Sequence, residues 1–226
     1  MTISVVIPCF NEETYIENCL ISLQRQITQP FEIIVVDNNC TDETIKIALK
    51  YQVKVIKESQ QGMIAARNTG FDAVKGDIIA RCDADTILPE NWITKINDHF
   101  STDSKISALT GPITYYDGII KSPILSTTYL NITKYIQKNH ETISGPNMII
   151  KKTTWDRVKQ YTCLNDHLVH EDMDLAIHLF QHGFIVKRDN SLIVRTSARR
   201  IQKNFLSFFI EYPKRVYKMF KSHNII

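Results

Sequence analysis

The sequence predicts an α/β fold with a mostly parallel mixed sheet and helices on both of its faces. Short apolar runs rich in β-branched residues recur through the first hundred residues, and each is followed by a segment of helical periodicity. Such runs suit strands buried on both faces, and their alternation with helices indicates parallel βα units. The 43% hydrophobic and 23% charged content is typical of a folded globular chain.

Four βα units are predicted in order along this part of the chain. The strands cover residues 3–7, 31–36, 53–56 and 77–81. Asn11 is expected to cap the first helix, and Thr41 and Asp42 to open the second. The third helix, 62–74, is rich in small residues, which allows close packing on the sheet. Pro89 fits the first turn of the fourth helix.

The pattern is less regular beyond residue 105. The predicted elements are a strand at 107–116, a helix or irregular excursion at 123–138, a strand at 144–150, a short helix near Thr154, a helix at 171–182 and a hairpin at 184–194. Gly183 is expected to end the helix before it, because glycine readily adopts the left-handed conformation of a helix C-terminus.

Charge and cysteine content bear on partners and compartment. A net charge of +3 is too small to indicate nucleic acid, and we expect no nucleic-acid partner. The five cysteines lack zinc-site spacing and predict free thiols in a reducing compartment, hence a cytoplasmic protein that acts in solution or at the inner face of the membrane. No window reaches 18 apolar residues, so no transmembrane helix is expected.

The sharpest local motif is Asp83-Ala84-Asp85, directly after the fourth predicted strand. In an extended chain, residues i and i+2 point to the same side, so two such carboxylates can hold one hard divalent cation. Acidic pairs are also common in solvated loops. The position at a strand end favours a site, because ligands of parallel sheets bind outside the carboxyl ends of the strands.

Other polar residues follow the first strands. Asp37 is placed to accept a hydrogen bond from the imide N–H of a uracil, and Glu12 to reach a ribose. Arg67 is placed to meet a phosphate or the carboxylates of the D-x-D motif. Each has an alternative interpretation: a turn residue for Asp37, an acid at a helix start for Glu12 and an exposed helix arginine for Arg67.

Two further pairs are candidates for chemistry. Glu171 and Asp172 begin a predicted helix, where Asp172 is the first candidate and Glu171 the second for a base that takes the proton of an attacking hydroxyl. Stabilisation of the helix start is the alternative. Arg199 and Arg200 follow a predicted strand and can clamp a diphosphate, with a solvated basic turn as the alternative.

Together these motifs resemble the family 2 glycosyltransferases, which have the GT-A fold. Five stretches match that family's order and spacing, and the likeness extends over about residues 2–190; the stretches are 5–12, 35–44, 62–70, 76–85 and 171–183. The resemblance implies a GT-A domain at 1–200, divided into a Rossmann-like nucleotide-sugar half (1–105) and an acceptor half (106–200). A basic, aromatic helical tail follows at 201–226.

The resemblance also implies an activity. A sugar is transferred with inversion from a nucleotide-diphosphate sugar, UDP being favoured, to a glycan or lipid-linked acceptor in polysaccharide or glycolipid synthesis, with Mn²⁺ or Mg²⁺ as cofactor. Asp172 is the implied base, with Glu171 as runner-up, and Asp85 and Asp83 are the implied metal ligands. The implied donor contacts are Pro8, Asn11, Glu12, Asp37, Asn39, Arg67, Asp83, Arg199 and Arg200; the implied acceptor side is Gly145, Pro146 and Asn147.

Departures and alternatives complete the prediction. Asn38 and Asn39 stand where many members carry Asp and Gly, a variation that leaves Asp37 intact. The Q-x-x-R-W segment of processive members is absent, and its absence favours a non-processive enzyme. A sugar-phosphate nucleotidyltransferase and a catalytically silent binding subunit are the competing functions. The tail, 203–226, either packs on the domain or contacts an anionic membrane peripherally. The oligomeric state is not predicted.

Overall fold

The computed structural model describes residues 1–118, 122–199 and 212–223. The helices are α1 (Ile16–Gln24), α2 (Thr44–Ala48), α3 (Met63–Ala73), α4 (Trp92–Thr102), α5 (Ile124–Ile136), α6 (Lys152–Val158), α7 (Glu171–Gln181) and α8 (Tyr212–Ser222), with a 3-10 turn at Lys159–Tyr161. The strands are β1 (Ile3–Cys9), β2 (Glu32–Asp37), β3 (Lys54–Lys57), β4 (Ile78–Arg81), β5 (Ile106–Thr110), β6 (Ile113–Tyr115), β7 (Met148–Lys151), β8 (Ile185–Arg188) and β9 (Val194–Thr196).

Seven strands form one sheet in the order β3-β2-β1-β4-β7-β5-β8, and β6 pairs with β9 in a separate parallel ribbon. Strands β1 to β4 are parallel to one another. Strand β7 runs antiparallel to its neighbours β4 and β5, and β8 is parallel to β5. The mostly parallel mixed sheet is confirmed. Because β7 is reversed, its amino end lies at the same edge as the carboxyl ends of β1, β2 and β4.

Helices cover both faces of this sheet, as predicted. Every residue of β1 is buried; Val5 and Ile7 belong to the apolar cluster that contains α1 and α4, and Val6 to the one that contains α3 and α7. The small residues of α3 permit close packing on the sheet. A Cβ added to Gly70 would lie 2.4 Å from Val6 Cγ1 and 3.0 Å from Val36 Cγ2, so the helix backbone approaches the strands as closely as a glycine allows.

Two predicted strands of the second half are shorter than expected. The segment 107–116 is split into β5 and β6 at Gly111 and Pro112, where a Cβ on Gly111 would lie 2.1 Å from the carbonyl oxygen of Leu192 and proline lacks an N–H for the ladder. The segment 144–150 becomes strand only from Met148, because Ser144 and Asn147 close a tight bridge before it.

Three other expectations are wrong. No hairpin forms at 184–194, because β8 pairs with β5 and β9 with β6. Asn11 does not cap α1, which begins at Ile16; Asn11 has a φ of 55° in the preceding loop. Pro89 lies ahead of α4 rather than in its first turn, and its carbonyl accepts the N–H of Trp92, where α4 begins.

The described part of the tail packs on the domain. Met219 and Phe220 of α8 are buried in a cluster with Ile64 and Met173, whereas Tyr217 is 59% exposed. The remaining aromatic residues of the tail that precede residue 212 lie outside the described residues. None of the described helices combines the length and apolar character that crossing a membrane requires. The five cysteines are free, as predicted.

Candidate active site

One edge of the sheet gathers the sequence motifs. Cys9 at the end of β1 is in register with Asp37 at the end of β2, and the D-x-D motif follows β4. The segment Gly145-Pro146-Asn147 leads into the reversed strand β7 and therefore reaches the same edge. Strand direction, rather than proximity in sequence, brings these residues together.

Arg199 joins two of the motifs. Its Nη2 donates a hydrogen bond to Glu12 Oε1, its Nε lies 3.2 Å from Asp85 Oδ2, and its guanidinium carbon lies 4.4 Å from the ring centroid of Tyr15. Burial lowers the pKa of Arg199, but the hydrogen bond and charge of Glu12, helped by Asp85, raise it above the ordinary value. A fixed guanidinium with several donors suits recognition of a phosphate group.

The segment that carries Arg199 is held by a side chain of the second half. Asp117 accepts hydrogen bonds from the Ser197 hydroxyl at 2.5 Å and from the Ala198 N–H at 2.6 Å. These contacts fix the backbone directly ahead of Arg199. The second predicted arginine, Arg200, lies outside the described residues.

The two carboxylates of the D-x-D motif have different partners. Asp85 is 7% exposed and accepts the Thr196 hydroxyl at 2.9 Å, while Asp83 Oδ1 lies 2.7 Å from Arg81 Nη2. The motif is a turn, closed by a 3.0 Å hydrogen bond from Thr86 N–H to the carbonyl of Asp83. The extended geometry expected for it is therefore wrong. Asp85 therefore contacts the last residue of β9, Thr196, whereas Asp83 contacts the last residue of β4, Arg81.

A buried ion-pair network lies behind the D-x-D motif. Glu171 Oε2 is 2.9 Å from Arg67 Nη1, and Glu171 Oε1 accepts a hydrogen bond from Arg81 Nη1. The two arginine side chains are 0% and 2% exposed. Arg67 is therefore not an exposed helix arginine, and the predicted contact with a phosphate or with the D-x-D carboxylates is also wrong, because its partners are Glu171 and Asn68. Burial lowers the pKa of Arg81, but Glu171 and Asp83 raise it above its ordinary value. Both oxygens of Glu171 are thus paired with arginines. Neither oxygen is free to take a proton, so Glu171 is poorly suited to act as the base.

Arg81 was not a predicted site residue. The signal was nevertheless present, because a cation that ends the apolar run 78–81 is an unusual occupant of a buried strand. Such a residue needs a buried anion, and only the tertiary fold shows that Glu171 supplies it.

Asp172 occupies a separate environment from its neighbour Glu171. Its Oδ2 accepts the Gly145 N–H at 3.1 Å, and its Oδ1 accepts the N–H of Met173 at 2.8 Å. Burial first, and the charge of Glu171 second, raise the pKa of Asp172 to about 6, against the opposing effects of Arg81 and the two backbone donors. Asp172 is therefore mostly ionised at neutral pH and more basic than an ordinary aspartate.

The loop after β2 is built from turn contacts. Asp37 Oδ1 accepts the Cys40 N–H at 2.8 Å, as the turn interpretation expects. The side chain of Asn38 donates to the carbonyl of Gln60 at 2.7 Å and accepts the Gly62 N–H at 2.9 Å, which ties β2 to the start of α3. Asn39 beside it has a φ of 65°, and its side chain donates to Ser59 O at 2.9 Å.

The loops after β1 and β2 are tied together. Asn11 Oδ1 accepts the Thr41 N–H at 2.8 Å, and the Glu12 N–H donates to the Thr44 hydroxyl at 2.7 Å. Pro8 is buried in β1, beyond the residues that pair with β4. These contacts hold Glu12 beside Arg199.

Only part of the predicted acceptor segment, Gly145 to Asn147, can face a bound acceptor. The Asn147 side chain is fully buried; its Oδ1 accepts the Trp92 indole N–H at 3.0 Å and its Nδ2 donates to Leu192 O at 2.7 Å. That side chain holds the fold together and does not face a ligand, which corrects the prediction. Gly145 faces Asp172 through its backbone, and Pro146 is partly exposed.

Comparison with known proteins identifies the family. A sequence model described as glycosyl transferase family 2 matches residues 4–158, more than half of the chain. The chain belongs to this family. It is 39% identical over 96 residues to the putative glycosyltransferase EpsH of Bacillus subtilis (40% of this chain, 26% of EpsH) and 36% identical over 102 residues to the glycosyltransferase AglE of Haloferax volcanii (41% and 33%). The chain thus matches a third or less of the length of these relatives.

Solved structures confirm the GT-A fold for this family 2 glycosyltransferase. The mannosyltransferase PcManGT from Pyrobaculum calidifontis, in complex with GDP-Man and Mn²⁺, superposes with a TM-score of 0.77 at 19% identity, over 97% of this chain and 63% of that one. Residues 1–349 of S. aureus TarS, in complex with UDP-GlcNAc, give a TM-score of 0.69 at 18% identity, over 88% and 59%. At these identities the likeness establishes the fold.

Proposed function

We propose that this family 2 glycosyltransferase moves a sugar from a nucleotide-diphosphate sugar, preferentially UDP-linked, to an acceptor hydroxyl with inversion. The supporting observation is the placement of the Asp172 carboxylate at the same sheet edge as the Arg199–Asp85 pair. The Asp172 carboxylate is suited to take a proton, and the Arg199–Asp85 pair is suited to bind a metal-bound diphosphate. Residues 1–105 form the donor half and residues 106–200 the acceptor half.

Asp172 is the proposed base. It takes the proton of the acceptor hydroxyl as that oxygen attacks the anomeric carbon from the face opposite the diphosphate. The bond from the anomeric carbon to the diphosphate breaks as the new bond forms, so a single displacement inverts the configuration. A pKa of about 6 keeps Asp172 ionised while improving its basicity, and the N–H groups of Gly145 and Met173 hold it in place. Glu171, engaged by Arg67 and Arg81, positions this helix start.

The residues at the leaving group fit a divalent cation. Asp85 and Asp83 offer carboxylate oxygens, which Mn²⁺ and Mg²⁺ prefer, and Asp85 Oδ2 already faces a positive group, Arg199, at 3.2 Å. Diphosphate and water oxygens would complete the shell of a metal held there. When bound, the metal would neutralise charge on the departing diphosphate. Arg199 contacts the same diphosphate directly.

The proposed nucleotide preference rests on one side chain. Asp37, together with Pro8, Glu12 and Asn39, flanks the base and ribose, and its carboxylate accepts the imide N–H of uracil. The structural neighbours differ here, since one complex holds GDP-Man and another UDP-GlcNAc. The nucleotide is therefore a primary variable of the test.

The assay compares nucleotide sugars with Mn²⁺, Mg²⁺ or chelator, following release of the nucleoside diphosphate and labelled sugar transfer to glycan and lipid-linked acceptors. The variants are Asp172→Asn and Asp85→Ala, and the matched control is Asp156→Asn, an exposed surface carboxylate on α6. We expect turnover to fall about 10²–10⁴-fold in Asp172→Asn and the metal response to disappear in Asp85→Ala.

Four other outcomes would each contradict one part of the proposal: the base, the metal ligand, the reaction class or the presence of activity. Wild-type turnover in Asp172→Asn would reject the base. Unchanged metal dependence in Asp85→Ala would reject the metal ligand. Pyrophosphate release from a nucleoside triphosphate and a sugar phosphate would favour a nucleotidyltransferase, and nucleotide-sugar binding without turnover by wild type would favour a silent binding subunit.

A lipid-linked acceptor would place the enzyme at the inner face of the membrane, in the cytoplasm. Lys214, Lys218 and Lys221 of α8 are exposed and would meet anionic headgroups. Changing all three to Glu should abolish sedimentation with phosphatidylserine vesicles, while the same change at the exposed lysines 46, 50 and 54 should not. Equal sedimentation of both triple variants would reject this membrane contact.

A further inference from the structure

A second cluster of ligating side chains lies away from the donor site. Asp174 and His178 are four residues apart on α7, which places them on one helix face, and His223 reaches them from the end of α8. Asp174 Oδ1 is 3.0 Å from His223 Nε2 and 3.7 Å from His178 Nε2, and one ligand atom from each residue lies within 4.8 Å of the others. We propose that Asp174, His178 and His223 bind one Zn²⁺ ion that pins α8 to α7.

The separations fit zinc. With Zn–N and Zn–O bonds of about 2.0–2.1 Å, the ligand atoms of a tetrahedral site lie about 3.3 Å apart. The two Asp174 distances, 3.0 and 3.7 Å, fall on either side of that value. The rings of His178 and His223 meet edge to face, with centroids 5.0 Å apart and planes at 81°. All three ligand atoms lie within 4.8 Å of one another, and binding one ion would draw them closer.

Charge favours a cation at this cluster. Asp174 is 1% exposed, and a buried carboxylate requires compensation. Glu171, three residues earlier on the same helix, receives it from two buried arginines. Asp174 instead faces two imidazoles, at 3.0 and 3.7 Å, and neither side chain carries the permanent charge of an arginine. A dication bound by neutral histidines and one carboxylate gives Asp174 an equivalent partner.

The surroundings also match a metal site. Asp174 Oδ2 accepts the Cys163 N–H at 2.9 Å, which orients the carboxylate while Oδ1 faces the histidines. The cluster opens on a cavity of about 690 Å³ whose lining includes Cys163 and His167. Three protein ligands with an accessible fourth position are typical of zinc sites that also bind water, and a water can complete the shell.

The test measures Zn²⁺ binding by competition with a chromophoric chelator and Co²⁺ binding by visible absorption, all in an Asp85→Ala background so that the donor site does not contribute. His223→Ala, His178→Ala and Asp174→Asn should each lower the Zn²⁺ affinity more than ~10-fold. The control is His99→Ala, since His99 lies 2.9 Å from Asp189 in a similar pair that joins no three-ligand cluster among the described residues. Zn²⁺ should also raise the Tm of the background protein and the control, but not of the cluster variants.

Two results would overturn the proposal. The first is that the Asp85→Ala protein binds no more Zn²⁺ than the same protein with His223→Ala. Asp174 and His223 would then form only a hydrogen-bonded pair. The second is that His99→Ala lowers the Zn²⁺ affinity as much as the substitutions in the cluster do. Because the readout is metal binding, neither result depends on whether the glycosyltransferase activity is found.

Discussion

The guanidinium of Arg199 hydrogen-bonds the carboxylate of Glu12, although 187 positions separate the two residues in the chain. The same guanidinium lies 3.2 Å from Asp85, the second acid of the D-x-D motif. One cation thus connects the loop after β1 to the loop after β4. Its charge balances the two acids around it, and under the proposed function it also binds the anionic leaving group.

Arg199→Ala should lower kcat/KM for the donor by about 10²-fold, because it removes charged donors directed at the diphosphate. Arg195→Ala is the matched control, since that arginine lies four positions earlier in β9 with an exposed side chain. Steady-state kinetics with the preferred nucleotide sugar measures both. A loss of equal size in the two variants would show that Arg199 acts only through general surface charge.

The pH dependence of turnover should report Asp172. Its pKa is raised to about 6, chiefly by burial, and only the ionised form can accept a proton. We expect kcat/KM to fall about tenfold per pH unit below that value. Stopped assays across the acidic range, checked for enzyme stability at each pH, measure this limb. A rate that stays level well below pH 6 would contradict the assignment.

Asp172 should also destabilise the folded protein at neutral pH. Because its pKa is higher in the folded state than the ordinary 3.8, folding favours the protonated form. The stability contributed by this group is present below about pH 4 and is lost as the pH rises through about 6. Asp172→Asn cannot ionise, so its free energy of unfolding, from urea titration at about pH 7.5, should exceed that of wild type by up to ~3 kcal/mol, and this difference should shrink towards pH 4.

Glu171→Gln should lower the free energy of unfolding, in contrast to Asp172→Asn. The substitution leaves Arg67 and Arg81 buried with one anion fewer, which typically costs about 3–5 kcal/mol of unfolding free energy. Glu43→Gln, in an exposed pair with Lys46, should cost less than about 1 kcal/mol. Urea titrations of the three proteins measure this. A stable, inactive Glu171→Gln protein would instead favour Glu171 as the base.

Gly70→Ala tests the packing of α3 on the sheet. The new methyl group would lie 2.4 Å from Val6 Cγ1, and overpacking of this kind costs about 1–3 kcal/mol. Gly183→Asn is the control, because its Cβ would meet open space and asparagine tolerates the φ of 74° found there. Chemical denaturation should separate the two; equal midpoints would mean that the helix shifts to make room.

The parallel part of the sheet, from β1 to β4, was largely predictable from the sequence. Parallel strands end at one edge, so the residues after β1, β2 and β4 had to meet, and the buried apolar runs located those strands. The contact of Arg199 with Asp85 was not predictable, because it depends on β9 leaving the main sheet to pair with β6. The predicted hairpin failed for the same reason, since sequence neighbours were assumed to be partners.

The buried polar side chains were the hardest to predict. Asn147 and Arg81 carry functional groups that are equally suited to a ligand and to the interior. Only the tertiary structure shows that Trp92 and Leu192 use the first and that Glu171 uses the second. Periodicity reveals which face of a strand is apolar, but it does not reveal which distant residue satisfies a polar atom.

Ile87 and Arg195 exchange two backbone hydrogen bonds, of 2.7 and 3.1 Å, just past the D-x-D turn. A shortened chain that stopped at Val158, where the family match ends, would retain both aspartates yet lose the strand that braces them. The motifs of the first half are consequently not a portable module. Grafting them onto another scaffold would require the late strand as well, and a genetic truncation that spares every recognisable motif of the first half would still remove the backbone partner of the segment after the D-x-D turn.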